Sequence, residues 1–288
     1  MRVTTHARVP PAALVLGGVA SVQTGAAIAK GLFDDAGPAG TVLLRVGFAA
    51  LVLWLVWRPR PRAHNWRELL LAATLGVALA GMNLAFYEAL DRIPLGVAVT
   101  LEFVGPLGVA VASTRRALDA LWVALAAAGI LLLADLGGGS VNTAGIALAL
   151  LAGVFWAAYI VLTERVGQAF PGGRGLALAM ALAALLLLPG GVAGAGDALL
   201  DPRVLAIGAA VAMLSSAIPY SLELEALRRM PAGVFGVLMS LEPAVAALAG
   251  LAILGEVLDA RAWAGIALVV CASAGAARSP NVGARPLD

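Results

Sequence analysis

The sequence divides into ten apolar stretches, each close to the length of one membrane-spanning helix. They cover approximately residues 12–30, 38–57, 67–87, 94–113, 117–134, 142–163, 175–193, 203–222, 231–254 and 260–277. A bilayer core about 30 Å thick requires roughly 20 apolar residues for each helical span. With 61% hydrophobic and only 12% charged residues, the chain has too few polar side chains to cover a water-soluble globule. The sequence therefore predicts an all-α membrane protein with ten transmembrane helices.

Basic residues are distributed unevenly between the two sides that ten spans define. One side holds fourteen of the nineteen, including those near both ends of the chain. They are Arg2, Arg8, Arg58, Arg60, Arg62, Arg67, Arg115, Arg116, Arg165, Arg174, Arg228, Arg229, Arg278 and Arg285. By the positive-inside rule this side is cytoplasmic, so both termini are expected in the cytoplasm. Because these arginines are dispersed over several short loops, they argue against a nucleic-acid partner.

The chain also repeats itself after about 137 to 140 residues, or five spans. The segment ALDRIPLGV at 89–97 returns as ALRRMPAGV at 226–234, and each copy is followed by a Leu-Glu pair and a proline. Five is an odd number, so the second copy enters the membrane from the opposite side. Inverted repeats of this kind place a substrate site near the bilayer midplane, between halves that alternate its access. We expect two inverted five-helix repeats, residues 1–137 and 142–277, followed by a cytoplasmic tail at 278–288.

Five short segments carry a resemblance to a known family. They are SVQTGA at 21–26, GMNLAFY at 81–87, IPLGVAVTLEFVGP at 93–106, IPYSLE at 218–223 and LMSLEP at 238–243. They resemble bacterial threonine and homoserine exporters of the EamA branch of the drug/metabolite transporter superfamily. The resemblance implies a multi-pass inner-membrane exporter of small amino acids that is coupled to proton entry. It also implies a central cavity lined mainly by spans 1, 3, 4, 6, 8 and 9. A permease for another small metabolite would keep the repeat and the acids, and is the alternative.

Two acids occupy corresponding places within the repeat. Glu102 lies mid-span in the fourth stretch, four residues before Pro106, and Glu242 lies in the ninth, directly before Pro243. A carboxyl group within the bilayer is costly, so each is a candidate for loading and releasing a proton. Pro106 has no N–H and leaves the carbonyl of Glu102 without its helical donor. Hydrogen-bonded acids that tie helices together are the alternative interpretation. Glu223, nearer the cytoplasmic end of the eighth span, is a third candidate.

Other polar side chains form stripes on single helix faces, and several are candidates for binding a zwitterionic substrate. Those candidates are Ser21, Gln23, Thr24, Asn83, Tyr87, Trp156, Tyr159 and Tyr220. Asn83 and Tyr87, for example, are four residues apart and share one face of the third span. The aromatic residues could instead mark the membrane interface, and the small hydroxyl residues could serve only in helix packing.

Two basic side chains, Arg45 and Lys30, lie within or at the end of an apolar stretch. Arg45 lies about two turns into the second stretch, so its long side chain can reach the membrane interface. Anchoring is the favoured role, with a counter-ion for an acid as the alternative. Lys30 ends the first stretch beside Asp34 and Asp35, which is consistent with an exposed ion pair or an external gate.

The sequence argues against an enzyme and predicts no cofactor or metal. The two histidines, His6 and His64, lie in the N-terminal tail and a cytoplasmic loop, and no pair of nucleophile and base is visible. The single cysteine, Cys271, excludes an intramolecular disulfide, and no zinc or haem spacing occurs. No nucleotide-binding motif is present, which argues against direct drive by ATP.

Overall fold

The computed structural model describes residues 9–112, 117–134, 142–219 and 238–277, together with Leu222, Ala226, Arg229, Met230 and Phe235. In chain order its α-helices are α1 (Pro11–Lys30), α2 (Phe33–Trp57), α3 (Trp66–Leu90), α4 (Leu95–Glu102), α5 (Val104–Ala112), α6 (Ala117–Ala134), α7 (Thr143–Ala169), α8 (Arg174–Ala195), α9 (Pro202–Ala212), α10 (Glu242–Ala249) and α11 (Ala260–Ala277). The π-helical turns Met213–Ala217 and Gly250–Leu254 continue α9 and α10. Short 3-10 turns lie at Pro61–Ala63 and Gly196–Leu200.

Within these described ranges every regular element is helical, which confirms the all-helical prediction. Five helices there are long and apolar enough to cross a bilayer: α1, α2, α3, α7, and α8 with the turn that follows it. Five further apolar helical segments are shorter, namely Leu95–Val109, Leu121–Leu132, Pro202–Ser216, Glu242–Leu254 and Ala260–Gly275. These ten segments fit the ten predicted spans.

The outer surface of the bundle carries large apolar side chains. Leu131 is 68% exposed, Val154 65% and Leu185 64%, and each belongs to a different helix. Extensive apolar exposure of this kind is a liability in water but matches a surface that faces lipid. The exposed side chains therefore agree with a bundle embedded in a membrane.

Local signals in the sequence set several helix ends. The Asn65 side chain accepts hydrogen bonds from the backbone N–H groups of Arg67 and Glu68, both at 3.0 Å, and so caps α3. Glu68 completes a capping box by accepting from the N–H of Asn65 at 3.2 Å. At the end of the π-helical turn after α10, Gly255 adopts the left-handed region (φ +69°), which glycine enters without steric cost.

The fourth and ninth spans are interrupted beside their acids. The fourth span breaks at Phe103, which separates α4 from α5 directly after Glu102. This is the local weakening that Pro106 predicts. In the ninth span, a turn at Ser240 and Leu241 precedes α10, which begins at Glu242 with Pro243 in its first turn. Each acid therefore lies at a helix end within the bundle.

Helices from the two halves of the chain pack closely against one another. The fourth and ninth spans meet as α4 and α10, the fifth and tenth as α6 and α11, and the second and seventh as α2 and α8. Small residues permit these approaches. A Cβ atom on Gly96 of α4 would lie 2.6 Å from the Cβ of Ala247, and one on Gly129 would lie 2.8 Å from the carbonyl oxygen of Gly265. The core therefore runs between the two halves.

Candidate functional site

A cavity of about 230 Å³ lies between helices of the two halves. Its polar and amphipathic lining residues are Gln23, Arg45, Asn83, Glu102, Trp156, Tyr159, Ser215 and Glu242. Its apolar lining residues are Val22, Ala26, Met82, Phe86, Val99 and Met239. They come from spans 1, 2, 3, 4, 6, 8 and 9, so the second span joins the six that the resemblance implied. The cavity is small, below the roughly 300–1,000 Å³ of pockets for drug-sized ligands.

Both repeat acids line this cavity and are almost fully buried. Glu102 is 8% exposed and Glu242 is 6% exposed. The amide nitrogen Nε2 of Gln23 donates a hydrogen bond to Oε1 of Glu242 at 2.9 Å, which links α1 to the start of α10. The structure thus brings together two carboxyl groups that are 140 residues apart in the sequence.

The two acids lie at helix ends of opposite polarity. Glu102 is the last residue of α4, where the unpaired carbonyl groups of a helix carry partial negative charge. Glu242 is the first residue of α10, where free N–H groups carry partial positive charge. The backbone at Glu242 therefore complements a carboxylate, whereas the backbone at Glu102 does not.

Two further polar groups of the cavity wall are deeply buried. Ser215 is 2% exposed and lies in the π-helical turn after α9, where Gly25 of α1 leaves room for its hydroxyl group. Gln23 is also 2% exposed. Among the described residues, neither the Ser215 hydroxyl nor the Oε1 atom of Gln23 has a hydrogen-bond partner. Both atoms are enclosed by the surrounding side chains in this conformation.

The predicted residues of α3 and α7 also contribute to the wall. Asn83 is 5% exposed, and its Nδ2 donates to the carbonyl oxygen of Leu79 in the same helix at 2.9 Å. The ring of Trp156 packs edge-on against that of Phe103, with 5.3 Å between centroids and an interplanar angle of 87°. Since Phe103 is the residue at which the fourth span breaks, Trp156 supports the interruption beside Glu102. Tyr159 completes this side.

The remaining predicted residues lie elsewhere. The Ser21 hydroxyl donates to the carbonyl oxygen of Leu214 at 2.7 Å, so it joins α1 to the turn after α9 rather than lining the cavity. Thr24 is partly buried in α1 and is not among the lining residues. Tyr87 is completely buried behind the wall. Tyr220 and Glu223 lie outside the described residues, so their roles stay predictions.

Arg45 is a cavity residue, contrary to the interfacial anchoring role that its sequence position favoured. Gly37 has a positive φ (+63°) and kinks the helix that carries Arg45, so its continuous part begins at Pro38, where the predicted stretch begins. Arg45 lies about two turns from that start, as predicted, and its side chain lines the cavity. Its Nη1 lies 3.4 Å from the hydroxyl oxygen of Tyr87, and its guanidinium carbon is 5.5 Å from the centroid of the Tyr87 ring.

Comparison with known proteins identifies the family. Residues 143–277 match the model of the EamA-like transporter family. The chain is 42% identical over 267 residues to the threonine/homoserine exporter RhtA of Escherichia coli (strain K12), covering 92% of this chain and 90% of that protein. The chain belongs to the EamA-like transporter family. RhtA of Salmonella typhimurium (strain LT2) gives the same identity and coverage.

Two more distant similarities agree with this EamA-like transporter assignment. The uncharacterized transporter YwfM of Bacillus subtilis (strain 168) is 27% identical over 242 residues, covering 80% of each chain. A solved crystal structure shares the fold with a TM-score of 0.58 at 18% identity, covering 92% of this chain and 95% of its own. Family membership and the apolar helices together establish an integral inner-membrane transporter rather than an enzyme.

One end of this EamA-like transporter is held together by a residue that the sequence did not single out. Glu256 follows the turn after α10, and its Oε1 pairs with the Lys30 ammonium group at 2.6 Å. Its Oε2 accepts from the backbone N–H of Leu95 at the start of α4, at 2.8 Å. Lys30 also donates to the carbonyl oxygen of Ile93 at 3.0 Å. We call these four residues the Lys30–Glu256 latch.

The Lys30–Glu256 latch differs from the pairing that the sequence suggested. Asp34 and Asp35 are close to Lys30 in the sequence, yet the ammonium group pairs with a carboxylate 226 residues away. Gly250 makes this possible, because a side chain there would collide with Oε2 of Glu256. No local signal in the sequence identifies such a partner, since it depends on how α1, α4 and α10 pack.

Proposed function

We propose that this protein exports small hydroxyl-bearing amino acids of the threonine and homoserine class from the bacterial cytoplasm, in exchange for protons and by alternating access. The 42% identity to RhtA over nearly the full length supports this substrate class. The observation that carries the proposal is the small cavity in which two buried carboxyl groups lie beside two buried polar side chains, Gln23 and Ser215.

The chemistry of the cavity suits such a substrate. The ammonium group of an amino acid is the natural partner of Glu102 and Glu242, because opposite charges attract strongly away from water. When the site opens, the side-chain hydroxyl of threonine or homoserine can pair with the Ser215 hydroxyl or Oε1 of Gln23, since a hydroxyl group both donates and accepts. Buried polar groups that lack partners are costly, so a ligand that supplies hydrogen-bond partners is favoured.

Proton coupling follows from competition at an acid. In the proposed cycle the substrate ammonium group and a proton compete for the carboxyl group of Glu102. A proton that enters from outside displaces the substrate, and the cytoplasmic side receives that proton when the next substrate binds. The position of Glu102 at the negative end of α4 supports this choice over Glu242, whose carboxylate is complemented by the start of α10.

Alternating access requires two halves that move against each other about the site. The packing pattern supports the inverted repeat. Spans 4 and 9, 5 and 10, and 2 and 7 are counterparts, and each of these pairs is in contact. Spans 3 and 6 also meet, as do their counterparts 8 and 1. An inverted pseudo-twofold axis between residues 1–137 and 142–277 accounts for every one of these contacts.

The Lys30–Glu256 latch supplies the closing contact at one end. With both termini in the cytoplasm, as the arginine distribution predicts, the latch lies at the outer end of the bundle. It joins α1 and α4 of the first half to the segment after α10 of the second half. We propose that it keeps the outer end closed while substrate enters from the cytoplasm, and that it separates when the site opens outward.

Transport by the purified protein in liposomes tests this function. Vesicles loaded with labelled threonine, homoserine, serine, or a non-amino-acid metabolite are diluted into buffer with or without an opposing pH gradient. We expect release of threonine and homoserine that accelerates with the gradient and that protein-free vesicles lack. Release confined to another metabolite would contradict the substrate class and favour the alternative permease. Release that ignores the gradient would contradict proton exchange.

A further inference from the structure

Arg45 places a positive charge in the same small cavity as the two buried acids. We propose that the Arg45 guanidinium binds the carboxylate of the substrate and thereby restricts transport to molecules that carry a free carboxylate beside the ammonium group. This inference rests on the proposed function and extends it, since the acids alone would accept any small amine.

Arg45 lies within the second membrane span and lines the cavity. Charged residues within a membrane span are retained where they face a polar cavity and have a partner of opposite charge. A guanidinium group is planar, always charged, and carries five N–H donors in a fork that matches both oxygens of a carboxylate. Arg45 contacts Tyr87 and also lines the cavity, so a carboxylate bound there would lie beside this fork.

Tyr87 is the positioning residue for this guanidinium group. Its hydroxyl oxygen lies 3.4 Å from Nη1, and its ring face lies 5.5 Å from the guanidinium carbon. The Tyr87 ring is itself immobilised, because it is completely buried and packs against Phe33 and Phe86 at centroid distances of 5.8 Å and 6.2 Å. A fixed ring holds Arg45 in one orientation, and pre-organisation of this kind favours a specific ligand geometry.

The distribution of charge around the cavity also supports the inference. Arg45 comes from α2, Glu102 from α4 and Glu242 from α10, so charges of both signs converge on a space of about 230 Å³. An α-amino acid carries its ammonium and carboxylate groups on the same carbon atom, so one molecule can pair with both signs at once. A substrate amide lacks the carboxylate that the Arg45 fork would bind, and sites built around a polar contact reject analogues that lack it.

Competition against labelled threonine tests the inference. Purified protein in liposomes exchanges labelled threonine at equal pH, with unlabelled threonine or threonine amide as competitor. The amide keeps the ammonium and hydroxyl groups and replaces the carboxylate with a neutral carboxamide. We expect threonine to compete about 10- to 100-fold better than its amide in the unmodified protein, the range that one lost charged hydrogen-bonding contact produces.

Four variants locate the source of that preference. R45Q should remove the preference for threonine over its amide, because competition by threonine weakens while competition by the amide does not. R45K keeps the charge but loses the fork, so an intermediate preference is expected. Y87F keeps the buried ring and removes the hydroxyl group, which should lower the preference while leaving competition by the amide intact. R203Q, at an exposed arginine outside the cavity, serves as the matched control and should behave like the unmodified protein.

The outcomes separate this inference from the proposed function. Equal competition by threonine and its amide in the unmodified protein would overturn the role of Arg45 and leave amino-acid export standing, even if R45Q failed to fold. A uniform loss of affinity for both competitors in R45Q would also overturn it, since a counter-ion for Glu102 acts on the shared ammonium group. If the unmodified protein exchanged no threonine, the proposed function and this inference would fail together.

Discussion

Glu102 and Glu242 are the same residue type in matching places of a repeat, yet their surroundings differ. Glu102 ends α4, whereas Glu242 begins α10 and accepts a hydrogen bond from Gln23. The partial charges at the two helix ends are opposite in sign, so one backbone complements a carboxylate and the other does not. At the scale of single residues, this asymmetry supports the proposal that Glu102 exchanges the proton.

Replacing Glu102 with glutamine preserves size and hydrogen bonding but abolishes titration. We expect E102Q to lose gradient-driven threonine export while exchange at equal pH continues with weaker substrate binding, because the proton step is blocked and Glu242 still pairs with the ammonium group. In the unmodified protein one pH unit sustains about a tenfold substrate ratio for each proton exchanged, and E102Q should reduce that ratio to about one. Labelled threonine in liposomes, with and without a pH gradient, provides the measurement.

The matched control is E164Q, at an exposed glutamate of α7, which should retain full coupling. Loss of coupling in E242Q with retention in E102Q would transfer the role to Glu242. If E102Q, E242Q and E223Q all kept the gradient response, proton exchange would not occur at these acids. They would then act as packing groups or as contacts for the substrate ammonium group.

At the scale of elements, α7 approaches the fourth span closely at its interruption. A Cβ atom on Gly153 of α7 would lie 2.7 Å from the carbonyl oxygen of Glu102, and one on Gly105 would collide with the carbonyl group of Gly153. Paired glycines therefore let α7 contact the backbone on both sides of Phe103. This contact lies beside the end of α4, where Glu102 is the last helical residue.

Gly153 and Gly167 lie in the same helix and offer a matched pair of substitutions. We expect G153A to lower thermal stability by about 1–3 kcal/mol through overpacking and to reduce transport. G167A meets no atom within 4 Å and should be neutral or stabilise by about 0.5–1 kcal/mol, as alanine does in a helix. Thermal unfolding in detergent, followed by intrinsic fluorescence, compares them. Equal stability of the two variants would refute the close approach.

The Lys30–Glu256 latch makes a second prediction at this scale. E256Q and K30M both remove the ion pair. The conformation with a closed outer end should then be destabilised by about 1 kcal/mol, which lowers its population relative to the open one about fivefold. The effect is this small because the pair is partly exposed. A cysteine at position 83, in a C271A background, reports the change through its reaction with a membrane-impermeant thiol reagent. We expect faster labelling from outside in both variants.

D201N is the control for the latch, because asparagine also caps a helix and Asp201 lies at the start of α9, away from the pair. Labelling in D201N should match that of the unmodified protein. Unchanged labelling in E256Q and K30M would show that the latch does not close the outer end. Faster labelling in D201N as well would point to a general loosening of the fold instead.

At the scale of the whole molecule, the two halves contact each other through counterpart spans, as an inverted repeat requires. The connections at 195–202 and 254–260 should then face outward, and the arginine-bearing connections at 58–67 and 165–174 should face the cytoplasm. A reporter that is active only outside the cytoplasm should be active when fused after Asp197 or Asp259. A reporter that is active only in the cytoplasm should be active when fused after Arg62. Cytoplasmic activity of the Asp197 or Asp259 fusions would contradict the predicted orientation.

The sequence by itself determined that the chain is an all-helical membrane protein. It also showed the family resemblance, through segments such as 93–106 and 238–243. Span length and apolar composition are local properties, so ten stretches could be delimited without knowing their neighbours. The weakening beside Glu102 could also be predicted, because the missing N–H of Pro106 acts within one helical turn. Four cavity residues could be identified as candidates because polar and amphipathic side chains stand out in apolar spans. They are Gln23, Asn83, Trp156 and Tyr159.

Only the tertiary structure decided which of these side chains share one cavity. Arg45 lines it because α2 packs with that side chain toward the cavity and Tyr87, which its place in the sequence did not show. Ser215 joins the wall because Gly25 lets α1 approach, and Glu256 meets Lys30 because three separate helices converge. Contacts such as these depend on the packing of distant segments, and packing is a property of the whole fold that no local pattern encodes.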